Sequence, residues 1–144
     1  MCIALSHEMK AWSNYLYMLD IDNRFEIHSL ENPGWFLFAD LHGTDFENTR
    51  FTPIISNINA NGSESDEYNW LSIYVDEDHV FNGCGSLNKL DVILSIFFSW
   101  LKDNGFDPKK YESIQYREPA KCIGGFNIWN YCNEQGYTPI VDKY

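Results

Sequence analysis

The sequence is short of positive charge. It holds 10 Lys and Arg against 21 Asp and Glu, a formal net charge of −11. Such a chain repels DNA, RNA and anionic membrane surfaces, whose binding requires basic side chains. Neither nucleic acid nor membrane is therefore expected as a direct partner. Long apolar runs are also missing. The longest, residues 92–101, is too short to span a bilayer and contains Ser95 and Ser99. The opening residues 1–12 lack the basic and apolar blocks of a secretory signal, which implies a cytoplasmic protein with reduced thiols. Cysteine is sparse: Cys2, Cys84, Cys122 and Cys132 form no CxxC pair and no disulfide framework. The glycosylation pattern Asn61-Gly62-Ser63 carries no weight in that setting. With no repeat, linker or low-complexity tract, 144 residues read as one domain, with 105–144 as a packed extension.

Aromatic residues, by contrast, are plentiful at 17% of the chain, enough to build a core that offsets chain entropy. Residues 3–19 place Ile3, Leu5, Met9, Trp12, Leu16 and Leu19 at helical spacing, widened by Tyr15 and Met18, and Asp20, Asp22 and Asn23 end the pattern. Phe25–Leu30 alternates as a half-buried strand. Asn32-Pro33-Gly34 predicts a turn in which Gly34 takes a positive φ, and residues 35–41 predict a central strand. A weaker strand over 51–58 is pushed by Pro53 towards an edge or a strand start. Asn61-Gly62 marks a turn. Residues 70–75 and 79–82 form further strands about the acidic turn Asp76-Glu77-Asp78. Gly83-Cys84-Gly85 then leads to a helix over 87–104, capped by Ser86 and stopped by Asn104-Gly105. Its apolar arc is wider than a surface helix requires, so the aromatic tail (Phe126, Ile128, Trp129, Tyr131, Tyr137) is expected to cover it. The sum is an α+β fold: an antiparallel sheet of about five strands with the N-terminal helix and the long helix on one face.

No catalytic constellation stands out. His7, His28, His42 and His79 occur in no paired ligand spacing, and His79 with Cys84 supplies two ligands where structural zinc takes four, so no metal or other cofactor is expected. Cys84 and Cys122 lack a nucleophile elbow and read as buried thiols. Gly83-Cys84-Gly85 lacks the third Gly and the Lys of phosphate loops. Asp76 and Asp78 with Glu64 or Asp66 lack the spacing and Gly of a calcium loop. Acid pairs for glycoside hydrolysis are available by count alone. The five Trp residues fall on apolar faces and read as core.

The acidity is uneven. Residues 1–104 hold 16 acids and 5 bases, whereas 105–144 hold 5 of each. Between Arg50 and Lys89 lie six acids and no base: Glu64, Asp66, Glu67, Asp76, Glu77 and Asp78. Concentrated self-repulsion has a folding cost, and its persistence in one region suggests a basic partner there.

Several motifs follow one another in a familiar order. Trp12 and Tyr15 come first, then Leu30-Glu31-Asn32-Pro33-Gly34-Trp35, then Leu41-His42-Gly43-Thr44. Phe81-Asn82-Gly83-Cys84-Gly85 and a helix with Leu90 and Trp100 complete the series. Over residues 10–104 this order resembles the immunity protein 53 family of bacterial polymorphic toxin systems. Residues 19–24 depart from the family's Gly-Asp-Trp-Glu-His-like stretch, and the tail from 105 has no counterpart. The resemblance implies a non-enzymatic cytoplasmic protein that binds the C-terminal domain of one cognate toxin. Many such toxins are nucleases, which need basic surface to hold their substrate. The expected partner-binding residues are Asp76, Glu77, Asp78, Glu64, Asp66 and Glu67, with Asp45 and Glu47 on the same face and Tyr68 or Trp70 as apolar anchor. The alternatives are a small hydrolase and an interaction module with a non-toxin partner. Oligomeric state is left open by the sequence.

Overall fold

A computed structural model describes residues 2–22, 24–31, 33–112, 121–123, 136 and 138–140. The chain divides into two compact units, Met1–Ser113 and Ile114–Tyr144. In the first, helix α1 (Cys2–Met18) precedes strands β1 (Phe25–Leu30), β2 (Gly34–Asp40), β3 (Ile54–Ser56), β4 (Leu71–Val75) and β5 (Val80–Gly85). A 3-10 turn at Leu87–Lys89 leads into α2 (Leu90–Asp103), followed by the short α3 (Lys109–Glu112). The second unit contains a parallel pair, β6 (Lys121–Ile123) with β7 (Thr138–Ile140). The proposed packing of the tail aromatics falls outside the described residues.

The five strands of the first unit form one sheet in the order β1-β2-β5-β4-β3, antiparallel throughout. The β1–β2 hairpin is followed by a connection to the far edge, and β3, β4 and β5 then step back until β5 lies beside β2. β2 is an interior strand as expected, flanked by β1 and β5, and the middle strand β5 is longer than the sequence pattern predicts. Gly83-Cys84-Gly85 belongs to the strand and not to a helix entry, because each glycine sits where a Cβ would collide. A Cβ on Gly83 would lie 2.5 Å from Ile93 Cγ2, and one on Gly85 would lie 2.7 Å from Lys89 Cβ. Gly34 corrects a second expectation. It lies in β2 outside the positive-φ set and is needed because a Cβ there would strike the Gly85 carbonyl. The weak third strand shrinks to three exposed residues after Pro53, which cannot donate to a ladder.

Strand alternation divides the sheet into two faces. Ile27, Leu37, Ala39, Phe81 and Ile73 point to the helix layer, where α1 and α2 bury Ala11, Trp12, Leu16, Ile93, Phe97 and Leu101 in one core. Phe81 and Phe97 meet across the layers with ring centroids 4.7 Å apart. Trp12 gathers Tyr15, Phe46, Phe97 and Phe106 around it at 5.2–6.0 Å. Each such ring contributes roughly 1.5–3 kcal/mol through burial. The wide apolar arc of α2 is met on one flank by Phe25, which faces Phe97 and Phe98. On the other flank Phe51 stands edge-on to Trp100 at 5.4 Å.

Both long helices close by the same device. Asp20 takes φ 58° after α1, and the Ile21 N–H returns to the Leu16 carbonyl at 3.0 Å. Gly105 takes φ 101° after α2, and the Phe106 N–H returns to the Leu101 carbonyl at 2.9 Å. These are the Schellman closures that satisfy otherwise orphaned carbonyls. Two sequence expectations fail locally. Met18 is exposed rather than part of the buried stripe, because α1 ends there and turns away. Ser86 is fully buried but gives no side-chain cap. Its Oγ instead accepts the Trp70 N–H at 3.3 Å and donates to Asn88 Oδ1 at 3.0 Å, tying the start of β4 to the end of β5.

Candidate partner-binding surface

The proposed binding residues separate into two groups at opposite ends of β4. Glu64, Asp66, Glu67 and Tyr68 lie in the loop before the strand, and Asp76, Glu77 and Asp78 form the turn after it. Five extended residues span about 17 Å, so the acidic run that is continuous in sequence is two clusters in space.

The first cluster is a polar loop stiffened from within. Asn59 and Ser63 close a turn through an N–H···O contact of 2.7 Å, with Gly62 at φ 88°. Asp66 Oδ1 accepts the Tyr68 N–H at 3.0 Å, which leaves the Tyr68 ring 73% exposed. Glu67 is exposed, whereas Glu64 is half-buried in a bridge between residues 58 and 64. Trp70 does not serve as a surface anchor. It is 4% exposed, and its ring lies under Gly34. Trp70 immediately precedes β4 and is buried, so Tyr68 is the exposed aromatic of this loop.

The second cluster is the β4–β5 hairpin turn and the segment beside it. Asp76 organises the turn. One carboxylate oxygen accepts the N–H groups of Asp78 (2.9 Å) and Val80 (3.1 Å), and the other accepts Asn82 Nδ2 (2.9 Å). The His79 N–H reaches the Asp76 carbonyl at 3.1 Å, and His79 takes φ 60°. This is a three-residue hairpin loop, a type I turn closed by a left-handed residue. Glu77 and Asp78 project from it, both exposed. The 41–47 segment runs alongside, joined by the Leu41 N–H donating to the His79 carbonyl at 2.9 Å. Asp45 is exposed and held by Tyr15, whose hydroxyl donates to Asp45 Oδ2 at 2.9 Å and accepts the Asp45 N–H at 2.8 Å. Burial pushes the Tyr15 phenol well above its ordinary range.

Asp40 anchors the same end from below. Burial alone would raise its carboxyl pKa, but hydrogen bonds from the His42 N–H (3.0 Å) and ring, and the Arg24 guanidinium at 2.9 Å, outweigh that and hold it below the usual value. The His42 ring nitrogen Nδ1 lies 2.8 Å from Asp40 Oδ1. Next to it, His42, Glu47 and His79 each present one ligand-type atom, all within 4.8 Å of one another. The sequence reading missed this group because its members come from two loops, and no local spacing announces it.

Between the two clusters runs the sheet face turned away from α1 and α2. Two rows of register partners cross it: His28, Phe36, Cys84, Ser72 and Ile55, then Glu26, Phe38, Asn82 and Tyr74. Ile55 is 63% and Tyr74 42% exposed, while Phe36 and Phe38 are half-buried. Burial raises the Cys84 thiol pKa, so this free cysteine is a poor thiolate.

A family model described as Immunity protein 53 matches residues 17–102. The chain belongs to the immunity protein 53 family. The match covers β1 to β5 and nearly all of α2, the unit that carries both clusters and the face between them. Membership assigns an immunity role, exercised through a cognate toxin protein. Neither the comparison with curated proteins nor that with solved structures gives a match. Among the described residues, no helix is long and apolar enough to cross a membrane. The groove lined by Asp91 and Asp103 does not pair them as an acid and base. Twelve residues of helix put them about 18 Å apart, beyond the roughly 5–9.5 Å of a glycosidase pair.

Proposed function

We propose that this immunity protein acts in the cytoplasm without catalysis, by occluding a basic toxin domain of the nuclease class. The docking surface is the helix-free face of the sheet, with the carboxylates at its two ends as rim. The observation that carries the reading is this juxtaposition. Exposed Ile55, Tyr74 and Tyr68 lie between or beside Glu67 at one end and Asp45, Glu47, Glu77 and Asp78 at the other. An apolar centre with a charged rim is the usual anatomy of a protein interface. The charge sign selects a partner rich in Lys and Arg, as a nuclease must be. Carboxylates around the face accelerate encounter, and the aromatic centre holds the complex once formed.

The test is affinity for the cognate toxin domain, measured across a salt series. Charge reversal by Glu77→Lys with Asp78→Lys spares Asp76, which the turn requires. The paired change is expected to slow association at least about tenfold and flatten its salt dependence. Tyr74→Ala is expected to act mainly on dissociation. Unchanged binding in both variants would remove this surface.

A further inference from the structure

We infer that His42, His79 and Glu47 form a binding site for one divalent transition-metal ion of the zinc class. The three residues offer two imidazole nitrogens and one carboxylate oxygen within 4.8 Å of one another. Donors bound to a tetrahedral ion at 2.0–2.1 Å stand about 3.3 Å apart, so small side-chain rotations bring this set to bonding distance. The two imidazole rings already lie edge to face, with centroids 5.2 Å apart.

The surroundings match what a metal-ligating histidine requires. The buried Asp40 carboxylate holds one ring nitrogen of His42, with Oδ1 2.8 Å from Nδ1, which is the carboxylate contact that commonly orients a metal-ligating imidazole. Arg24, on the other side of Asp40 at 2.9 Å, fixes that carboxylate and through it the ring. The backbone bond from Leu41 to the His79 carbonyl sets the two loops side by side. Two imidazoles with one carboxylate favour zinc, nickel or copper over magnesium and calcium, which prefer all-oxygen sites. His42 is exposed, so a fourth position stays open to water or to a donor from another molecule.

The experiment uses untagged full-length protein, zinc as the calorimetric probe and cobalt as the spectroscopic one. One equivalent is expected to bind, with a cobalt spectrum of nitrogen and oxygen ligation lacking a thiolate charge-transfer band. His42→Ala, Glu47→Gln and His79→Asn are each expected to weaken zinc binding by tenfold or more, His79→Asn without disturbing the left-handed turn. Zinc should raise the melting temperature of the parent protein and leave that of the His42→Ala, His79→Asn pair unchanged. Equal affinity in parent and paired variant, or a thiolate band showing cysteine ligation, would overturn the assignment. A paired variant that keeps the parent's circular dichroism but loses the bound equivalent would sustain it.

Discussion

Gly83 tests the packing of the helix layer on the sheet. It sits in the central strand, and an added Cβ would lie 2.5 Å from Ile93 Cγ2 and 3.3 Å from Phe81 Cε1. Both neighbours are fully buried, and Phe81 is itself pressed against Phe97, so neither can withdraw without moving α2. Overpacking of this kind costs about 1–3 kcal/mol. The stiffer unfolded chain returns only about 0.4–1 kcal/mol. Gly83→Ala should therefore lose about 1–2 kcal/mol net, which lowers a urea midpoint by about 0.5–1 M at a slope near 2 kcal/mol/M. Ile93→Ala removes the clashing methyl and alone costs about 2–5 kcal/mol. In the double variant the new methyl enters the space Ile93 vacates. The combined loss should then fall short of the sum by about 1–2 kcal/mol, inside the range of contacting pairs. Tryptophan fluorescence follows the transition, since Trp12 lies in the same core. A neutral Gly83→Ala, or a double variant additive within about 0.5 kcal/mol, would refute the close approach of α2 to β5.

Tyr15→Phe should cost about 1–3 kcal/mol, because it strips both hydrogen bonds that hold Asp45. Because burial raises the folded-state phenol above its ordinary value of 10.0, this contribution is complete below pH 10 and is lost as pH rises above it. The parent protein should lose stability on alkaline titration more steeply than Tyr15→Phe, as followed by urea midpoints at successive pH values. Gly105→Ala should cost about 1–2 kcal/mol, since φ 101° lies where L side chains are strained, and a thermal melt reads it directly.

Periodicity carried the reading of the fold where one face of an element is buried along its length. Helix α1 and strand β1 are of that kind, whereas β2 was legible as an apolar run and α2 as an arc wide enough to be met on two flanks. It failed at Gly83-Cys84-Gly85, because glycine is ambiguous in one dimension. A residue that permits a turn and a residue that permits another backbone to approach are the same residue. Only the position of Ile93 and Lys89 distinguishes them. Gly34 failed for the same reason, its demand coming from Gly85 across the sheet. Trp70 read both as core and as one of two possible anchors, because exposed and buried aromatics look alike at a loop-to-strand junction, and it is buried. The His42, Glu47 and His79 group was invisible for a different cause. It depends on the order β1-β2-β5-β4-β3, which sets the end of β2 beside the β4–β5 turn.

That same topology changes what the acidity means. Read linearly, residues 64–78 are one dense block whose charges repel one another. Folded, β4 holds its two halves about 17 Å apart, twice the Debye length of about 8 Å at physiological salt. The halves therefore scarcely feel each other, and the folding cost of gathering them is small. A partner docked across the face as proposed would feel both. A standard interface of about 800 Å² per side is roughly 30 Å across if circular, wide enough to reach Glu67 and Glu77 together over the face that carries Tyr74. Charges so far apart act independently. Reversing one end should leave the other end's effect on toxin association intact, and reversing both should multiply the two losses. A single compact acidic patch would give less than that product, because its charges share the same contacts.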